Sequence, residues 1–153
     1  MKNDKFVYVT YINTTPEKLW EALTNTDFMK LYWFGSSFET DWKIGSSIKE
    51  TMQNGKPGFE GEILKFDPPR LLSYSFFVKD EEKTKVTFEI SKQGEAVKLT
   101  TIHEGYERGT KEYESTGEGW AVILSGIKSL LETGKPLALD LWSQVNVINS
   151  QNA

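Results

Sequence analysis

The sequence contains no cysteine and only one histidine, His103, among its 153 residues. The first absence excludes disulfides, iron–sulfur clusters, thiolate zinc sites and cysteine nucleophiles. The second excludes sites built from several histidines, including the paired histidines of H-E-x-x-H metalloproteases. No run approaches the ~18 apolar residues of a transmembrane helix, so no membrane span is expected. The opening MKNDKFVYVT alternates where a secretory signal would be continuously apolar, and a cytoplasmic protein is the expectation. Cations are also in short supply, with 18 Lys and Arg against 22 Asp and Glu for a net charge of −4. Nonspecific nucleic-acid binding needs a surplus of cations to neutralise phosphates, so no nucleic-acid partner is expected.

What is present is a chain of one ordinary domain, too short for two of usual size. Hydrophobic residues make up 38% and charged residues 26%, a balance that excludes wholesale disorder. Aromatics are abundant: five Trp, six Tyr and nine Phe. Residues 5–13 alternate, with Phe6, Tyr8, Thr10 and Ile12 on one face and Val7, Val9 and Tyr11 on the other. That pattern is a strand with two largely apolar faces. A helix follows, started by Thr15 as cap with Pro16 at its first position, or by Thr14 with Glu17 as a capping box. A second short helix begins near Asp27, with Thr26 as the candidate cap, and stops by Gly35.

From Ser36 to Glu104 the period changes to two. Strands are expected over 46–53, 59–66, 71–79, 84–92 and 95–104, separated by turns rich in Gly, Pro, Asn and Asp. Short connections of this kind give an antiparallel meander. Residues 105–114 have no clear period and are expected as a loop. Ser115-Thr116-Gly117-Glu118 offers a capping box before the strongest helical pattern in the chain. Trp120, Ile123, Leu124, Ile127, Leu130 and Leu131 there share one face, and Gly134 and Pro136 end it. The expected fold is α+β: a curved antiparallel sheet wrapped around a long C-terminal helix, with two short helices after the first strand. Residues 1–136 form the domain, and 137–153 are an apolar tail of open structure.

Several stretches resemble a known family. TPEKLWEALTNTDFMKLYWFG is similar to the opening of the START/Bet v 1-like (SRPBCC) superfamily, and within it to the group of the activator of heat-shock-protein-90 ATPase. The matching residues are Pro16-Glu17, Leu19-Trp20, Ala22-Leu23-Thr24, Trp33-Phe34-Gly35 and Ile44-Gly45. The resemblance continues through Gly61, Ile63-Leu64, Phe66-Asp67-Pro68-Pro69-Arg70, Leu72, Tyr74 and Phe76, and closes on Gly119-Trp120 and Leu130-Leu131-Glu132-Thr133-Gly134. Two departures are Ser46, where the pattern has a second glycine, and the longer tail after Pro136. The resemblance implies a helix-grip fold with a cavity between sheet and helix. Members of the superfamily bind lipids, sterols, polyketides or plant phenolics there, and some are cyclases or aromatases. Fold alone fixes none of these activities.

Candidate wall residues for such a cavity are Phe59, Ile63, Tyr74, Phe76, Phe88, Trp120, Ile123, Leu124 and Ile127. Trp33 and Phe34, with Trp42 just after, would form its mouth. A small-molecule pocket needs mostly apolar walls and a few orienting polar groups, and aromatic walls suit flat ligands. The expected ligand is therefore lipid-like or a planar polyketide or phenolic such as a flavonoid, bound in a monomer without cofactor. His103 lacks a G-x-S-x-G elbow or a defined partner spacing, and is expected as a hydrogen-bonded core residue. Of the strand carboxylates Glu50, Glu60, Glu62 and Glu89, alternation sends Glu60 and Glu62 to solvent, while any that faced the cavity would be a functional candidate. No catalytic residue is assigned. The alternatives are a cyclase or aromatase in the same cavity, or a co-chaperone-like module with an exposed apolar patch involving Leu137, Leu139, Leu141 and Trp142.

Overall fold

The structure, a computed structural model, describes residues 3–137. Seven strands form one antiparallel sheet: β1 (Asp4–Ile12), β2 (Ser37–Thr40), β3 (Ser47–Thr51), β4 (Pro57–Asp67), β5 (Leu71–Phe76), β6 (Thr84–Gln93) and β7 (Ala96–Tyr106). Helices α1 (Pro16–Thr24) and α2 (Thr26–Tyr32) separate β1 from β2, and α3 (Lys111–Thr133) closes the described chain. The strand order β1-β7-β6-β5-β4-β3-β2 places the first two strands at opposite edges. The α+β class, the curved sheet and the long final helix agree with the sequence reading. The expected tail lies outside the described residues except for Leu137.

Local chemistry explains the element boundaries. Thr15 caps α1 by accepting the Lys18 N–H, and Pro16 takes the first helical position, where a missing N–H costs nothing. The cap of α2 is Asn25 in place of the expected Thr26. Its side chain accepts both the Asp27 and Phe28 amides, leaving Thr26 as the first helical residue. The loop expected over 105–114 is a larger correction. β7 runs on to Tyr106 and α3 starts at Lys111, capped by the Thr110 hydroxyl, which accepts the Tyr113 N–H. The first turn of α3, Lys-Glu-Tyr-Glu, is made of polar side chains and one Tyr, so it carries no apolar stripe to announce a helix. Ser115 and Thr116 therefore lie inside the helix. The four residues of β2 are too few for alternation to define a separate strand, and β5 ends earlier than expected, at Phe76.

One sheet face carries the core. Ile12, Ile48, Ile63, Leu72, Tyr74, Val86, Phe88, Val97 and Leu99 all point inward and are nearly inaccessible. The opposite face of β1 is uncovered: Val7, Val9 and Tyr11 are each about half exposed, so only one of its two apolar faces has a layer over it. Helix α3 lies along β1, with the Lys128 ammonium donating to the Tyr11 carbonyl and the Glu132 carboxylate accepting the Asn13 N–H. The side chains of Leu124 and Ile127 are fully buried. Truncating Leu124 to Ala is expected to cost about 2–5 kcal/mol, as for other buried leucines, read as a shift in denaturant midpoint at unchanged slope.

Candidate functional site

The C-terminal half of α3 is buried in the core, whereas the N-terminal half meets the sheet along one side, with Tyr113 and Gly117 against Phe6 of β1 and Trp120 bonded to His103 of β7, and stands off from β4 and β5. The space between is a cavity of about 400 Å³. Its α3 wall is made by Ser115, Thr116, Gly119, Trp120 and Ile123, residues that follow one another around a single helical face. Phe59 of β4, Phe76 of β5 and His103 and Tyr106 of β7 supply the sheet wall. The β3–β4 hairpin and the turn after α2 complete the enclosure, the latter through Trp33, Phe34 and Ser36. That turn reverses direction by placing Phe34 and Gly35 together in the left-handed region, at φ 51° and 70°. For Phe34 this is an uncommon conformation. Gly119 sits at the middle of the α3 stripe, and a Cβ built on it would meet nothing within 4 Å, so its missing side chain is part of the open volume.

Six of the twelve residues expected at the site line this cavity: Trp33, Phe34, Phe59, Phe76, Trp120 and Ile123. The other six do not. Tyr74 and Phe88 stand behind the wall, where Tyr74 stacks on Phe59 at 5.7 Å and Phe88 meets Trp120 edge-on at 5.7 Å. Ile63, Leu124 and Ile127 share the inward face with the wall residues but are fully buried in the core. Trp42 belongs to the connection after β2, in a left-handed conformation at φ 55°, and packs against the core edge. Within the wall the rings brace one another, with Phe59 stacked on Phe76 at 4.2 Å and Trp33 edge-on to Trp120 at 5.3 Å.

His103 is 1% exposed, and both of its ring nitrogens are engaged. The Trp120 indole N–H donates to Nδ1 at 3.0 Å, so Nδ1 carries no proton. Nε2 must then carry it and donates to the Thr84 hydroxyl at 2.8 Å, while that hydroxyl donates onward to the Phe76 carbonyl. The chain of bonds runs one way and assigns the tautomer. Protonating Nδ1 would set two donors against each other. Burial, as the first cause, holds the imidazole pKa down at about 3. His103 is thus a structural tie between α3 and β7, as expected, and is not poised as a general acid or base near neutrality.

The strand carboxylates separate clearly. Glu60, Glu62 and Glu89 are exposed, whereas Glu50 turns into the cavity. Between Lys49 and Thr51 the β3–β4 register slips, so that Glu50 faces both Gly58 and Phe59. Its carboxylate accepts the Phe59 N–H at 3.0 Å and the Ser36 hydroxyl at 2.7 Å. A Cβ on Gly58 would lie 2.1 Å from the same carboxylate, so a side chain there would force Glu50 out of its present position. Burial raises the Glu50 pKa, and the two hydrogen bonds oppose that rise. Glu81 and Glu112 also border the cavity, and Lys56 is its one lining cation among the described residues. The sequence offers Glu50 as one of four strand carboxylates with nothing to single it out, and gives Ser36, Tyr106 and Gly119 no role at the site. The signal available for Gly119 was a glycine inside a strong helical pattern. Among the described residues no group of His, Asp and Glu is arranged to hold a metal ion, and no helix is long and apolar enough to cross a membrane.

A sheet gripping one long helix, with an aromatic cavity between them, is the helix-grip architecture of START/Bet v 1-like proteins. Solved structures share it. The Aha1 dimer from Colwellia psychrerythraea superposes with a TM-score of 0.76 at 24% identity, covering 86% of this chain and 98% of that one. ChR145 from Cytophaga hutchinsonii gives a TM-score of 0.71 at 30% identity over 86% of this chain and 96% of that one. DynU16, from the dynemicin biosynthetic locus, gives 0.77 at 21% identity over 88% of this chain and 49% of that one. A search of curated proteins returns no match. The sequence profile of the Activator of Hsp90 ATPase homolog 1-like protein family matches residues 13–132, and the chain belongs to that family.

The histidine network sets a pH dependence. The unfolded chain takes up the imidazole proton near the ordinary pKa of 6.5 and the folded protein near 3, so stability is lost as pH falls through that window. The full loss is on the order of 5 kcal/mol. Glu50 has the opposite sign: its raised pKa favours the fold below the ordinary carboxylate range, and that contribution fades as pH rises. Nitrogen-15 spectra of the single imidazole should therefore show the Nε2–H tautomer unchanged from pH 8 to 5. Trp120→Phe, which deletes the donor to Nδ1 and leaves that buried nitrogen unpaired, should cost about 1–3 kcal/mol, read as a shift in denaturant midpoint.

Proposed function

We propose that the protein binds a small hydrophobic ligand, lipid-like or a planar aromatic such as a polyketide or flavonoid-type phenolic, in the cavity between sheet and α3. The observation that carries this reading is the wall itself. Trp33, Phe34, Phe59, Phe76 and Trp120 surround about 400 Å³ of space at the size expected of a ligand site. Their faces and edges offer offset stacking to a flat ring system. A few polar groups, Glu50, Tyr106 and Thr116 among them, are set in that wall to orient what enters. The origin of DynU16 in a biosynthetic locus supports the same direction. Turnover is not part of the proposal, because His103 has both nitrogens committed and acid–base chemistry needs a group free to exchange its proton. A cyclase or aromatase would have to rely on the carboxyl and phenol groups alone.

A protein-interaction role is the second reading, favoured by the family's Hsp90-activator description and by the half-exposed stripe of Val7, Val9 and Tyr11 on β1. Exposed apolar stripes of this kind mark docking surfaces in other proteins. Of the residues expected to form such a patch, Leu139, Leu141 and Trp142 lie outside the described residues, and Leu137 is half-buried.

Titrating isotope-labelled protein with matched fatty acids and planar phenolics should move resonances of Trp33, Phe76 and Trp120 saturably. The absence of interior shifts with either class would sink the cavity reading. Gly119→Leu supplies a complementary check. The new side chain enters the open volume and improves helix propensity by about 1 kcal/mol. The melting temperature should hold or rise while ligand affinity falls at least ~10-fold, a loss equal to about 1.4 kcal/mol of binding energy.

A further inference from the structure

Glu50 is more than the fold requires at its position. The slipped register leaves the Phe59 N–H without a ladder partner, and an acceptor is needed there. A neutral amide or hydroxyl would serve that need without placing a charge beside five aromatic rings. The chain instead places a carboxylate there and keeps a glycine at position 58 to admit it. A carboxylate offers about four acceptor positions. Two are used, by Phe59 and Ser36, and no cation among the described residues touches the group. A buried charge left in that state is costly until a donor or a counter-charge arrives. The remaining charges lining the cavity lean the same way, with Glu81 and Glu112 against Lys56.

We propose that Glu50 sets the charge class of the cavity's ligand: a planar aromatic bearing a hydrogen-bond donor, best a protonated amine, seated with its donor on the Glu50 carboxylate. The inference rests on the cavity being the ligand site and deepens that reading. Anionic amphiphiles, fatty acids included, bind more weakly than a matched amine, since two carboxylates in one apolar space repel. The aromatic wall adds to the preference, because Trp and Phe faces attract cations. Burial raises the proton affinity of Glu50, and an ammonium placed beside it restores the ionised form.

A matched series on one ring system tests this: 2-naphthylmethylamine, 2-naphthol and 2-naphthoate, each measured by calorimetry against the wild-type protein and Glu50→Gln. The wild type should bind the amine most tightly and the naphthoate at least ~10-fold more weakly, the size of one charge-assisted hydrogen bond. Glu50→Gln keeps the length and an acceptor for Phe59 but removes the charge, so the spread should shrink to about threefold or less. A second readout needs no variant: the carbon-13 carboxyl resonance of Glu50 should move when the amine is added to wild-type protein. If naphthoate binds the wild type as well as the amine does, or if the spread survives in Glu50→Gln, the charge assignment is overturned while the cavity stands as a binding site. If none of the three probes binds either protein, both the assignment and the cavity reading fall.

Discussion

A single helix is too narrow for the sheet it must cover. Seven strands at ~4.8 Å spacing present an inner face roughly 29 Å wide, whereas a helix with its side chains measures about 10–12 Å across. Helices α1 and α2 take up part of the deficit, with the buried Tyr32 hydroxyl donating to the Ala22 carbonyl to lock them together. Curvature of the sheet around α3 takes up another part. What is left over is the cavity, and its position follows from where α3 makes close contact. Leu124, Ile127 and Leu130 anchor the second half of the helix in the core. Ahead of them, Gly117 lies against Phe6 of β1 and the Trp120 indole is bonded to His103, while Gly119 has no side chain to fill the span toward β4 and β5.

The polar groups in this apolar space are held by different means. His103 is saturated: each nitrogen has one partner and a defined role, and its neutral form joins the helix to the sheet. Such a fully satisfied group lends uniqueness to a core without inviting chemistry. Glu50 is the reverse, anchored on one side and open on the other. The contrast explains why the residue most tempting by type is inert, while a strand glutamate indistinguishable from its neighbours by type is the one that meets the cavity.

The architecture was legible because it is written in periodicity. Alternation along 59–66 and 84–92 and the Trp120-to-Leu131 stripe survive small errors in boundary placement, and they define the sheet and the helix that crosses it. The inward face was legible too, since Phe59, Ile63, Tyr74 and Phe76 do point inward. Where along that face the helix touches was not, and this separates Phe76 on the wall from Ile63 and Leu124 in the core. Position along a face depends on tertiary spacing that no local pattern encodes. Glu50 escaped for a related reason: its environment comes from a one-residue slip between β3 and β4 and from an absent methyl at Gly58, both cross-strand facts. The start of α3 was missed because Thr110 and the Lys-Glu-Tyr-Glu turn signal a helix only through a cap.

The separation of wall from core has an evolutionary corollary. Ile63, Leu72, Leu124 and Ile127 carry the packing and are fixed by volume. Gly119, Phe34 and Met52 border empty space, where a change in size alters the shape of the cavity without opening a gap in the core. The shape of the cavity can therefore drift under selection while the scaffold stays above its stability threshold. A lineage built this way would keep its backbone recognisable as its sequence diverged, as the 24% identity with the Colwellia psychrerythraea protein illustrates. The unfilled part of the helix–sheet interface is thus where the fold is free to be reassigned.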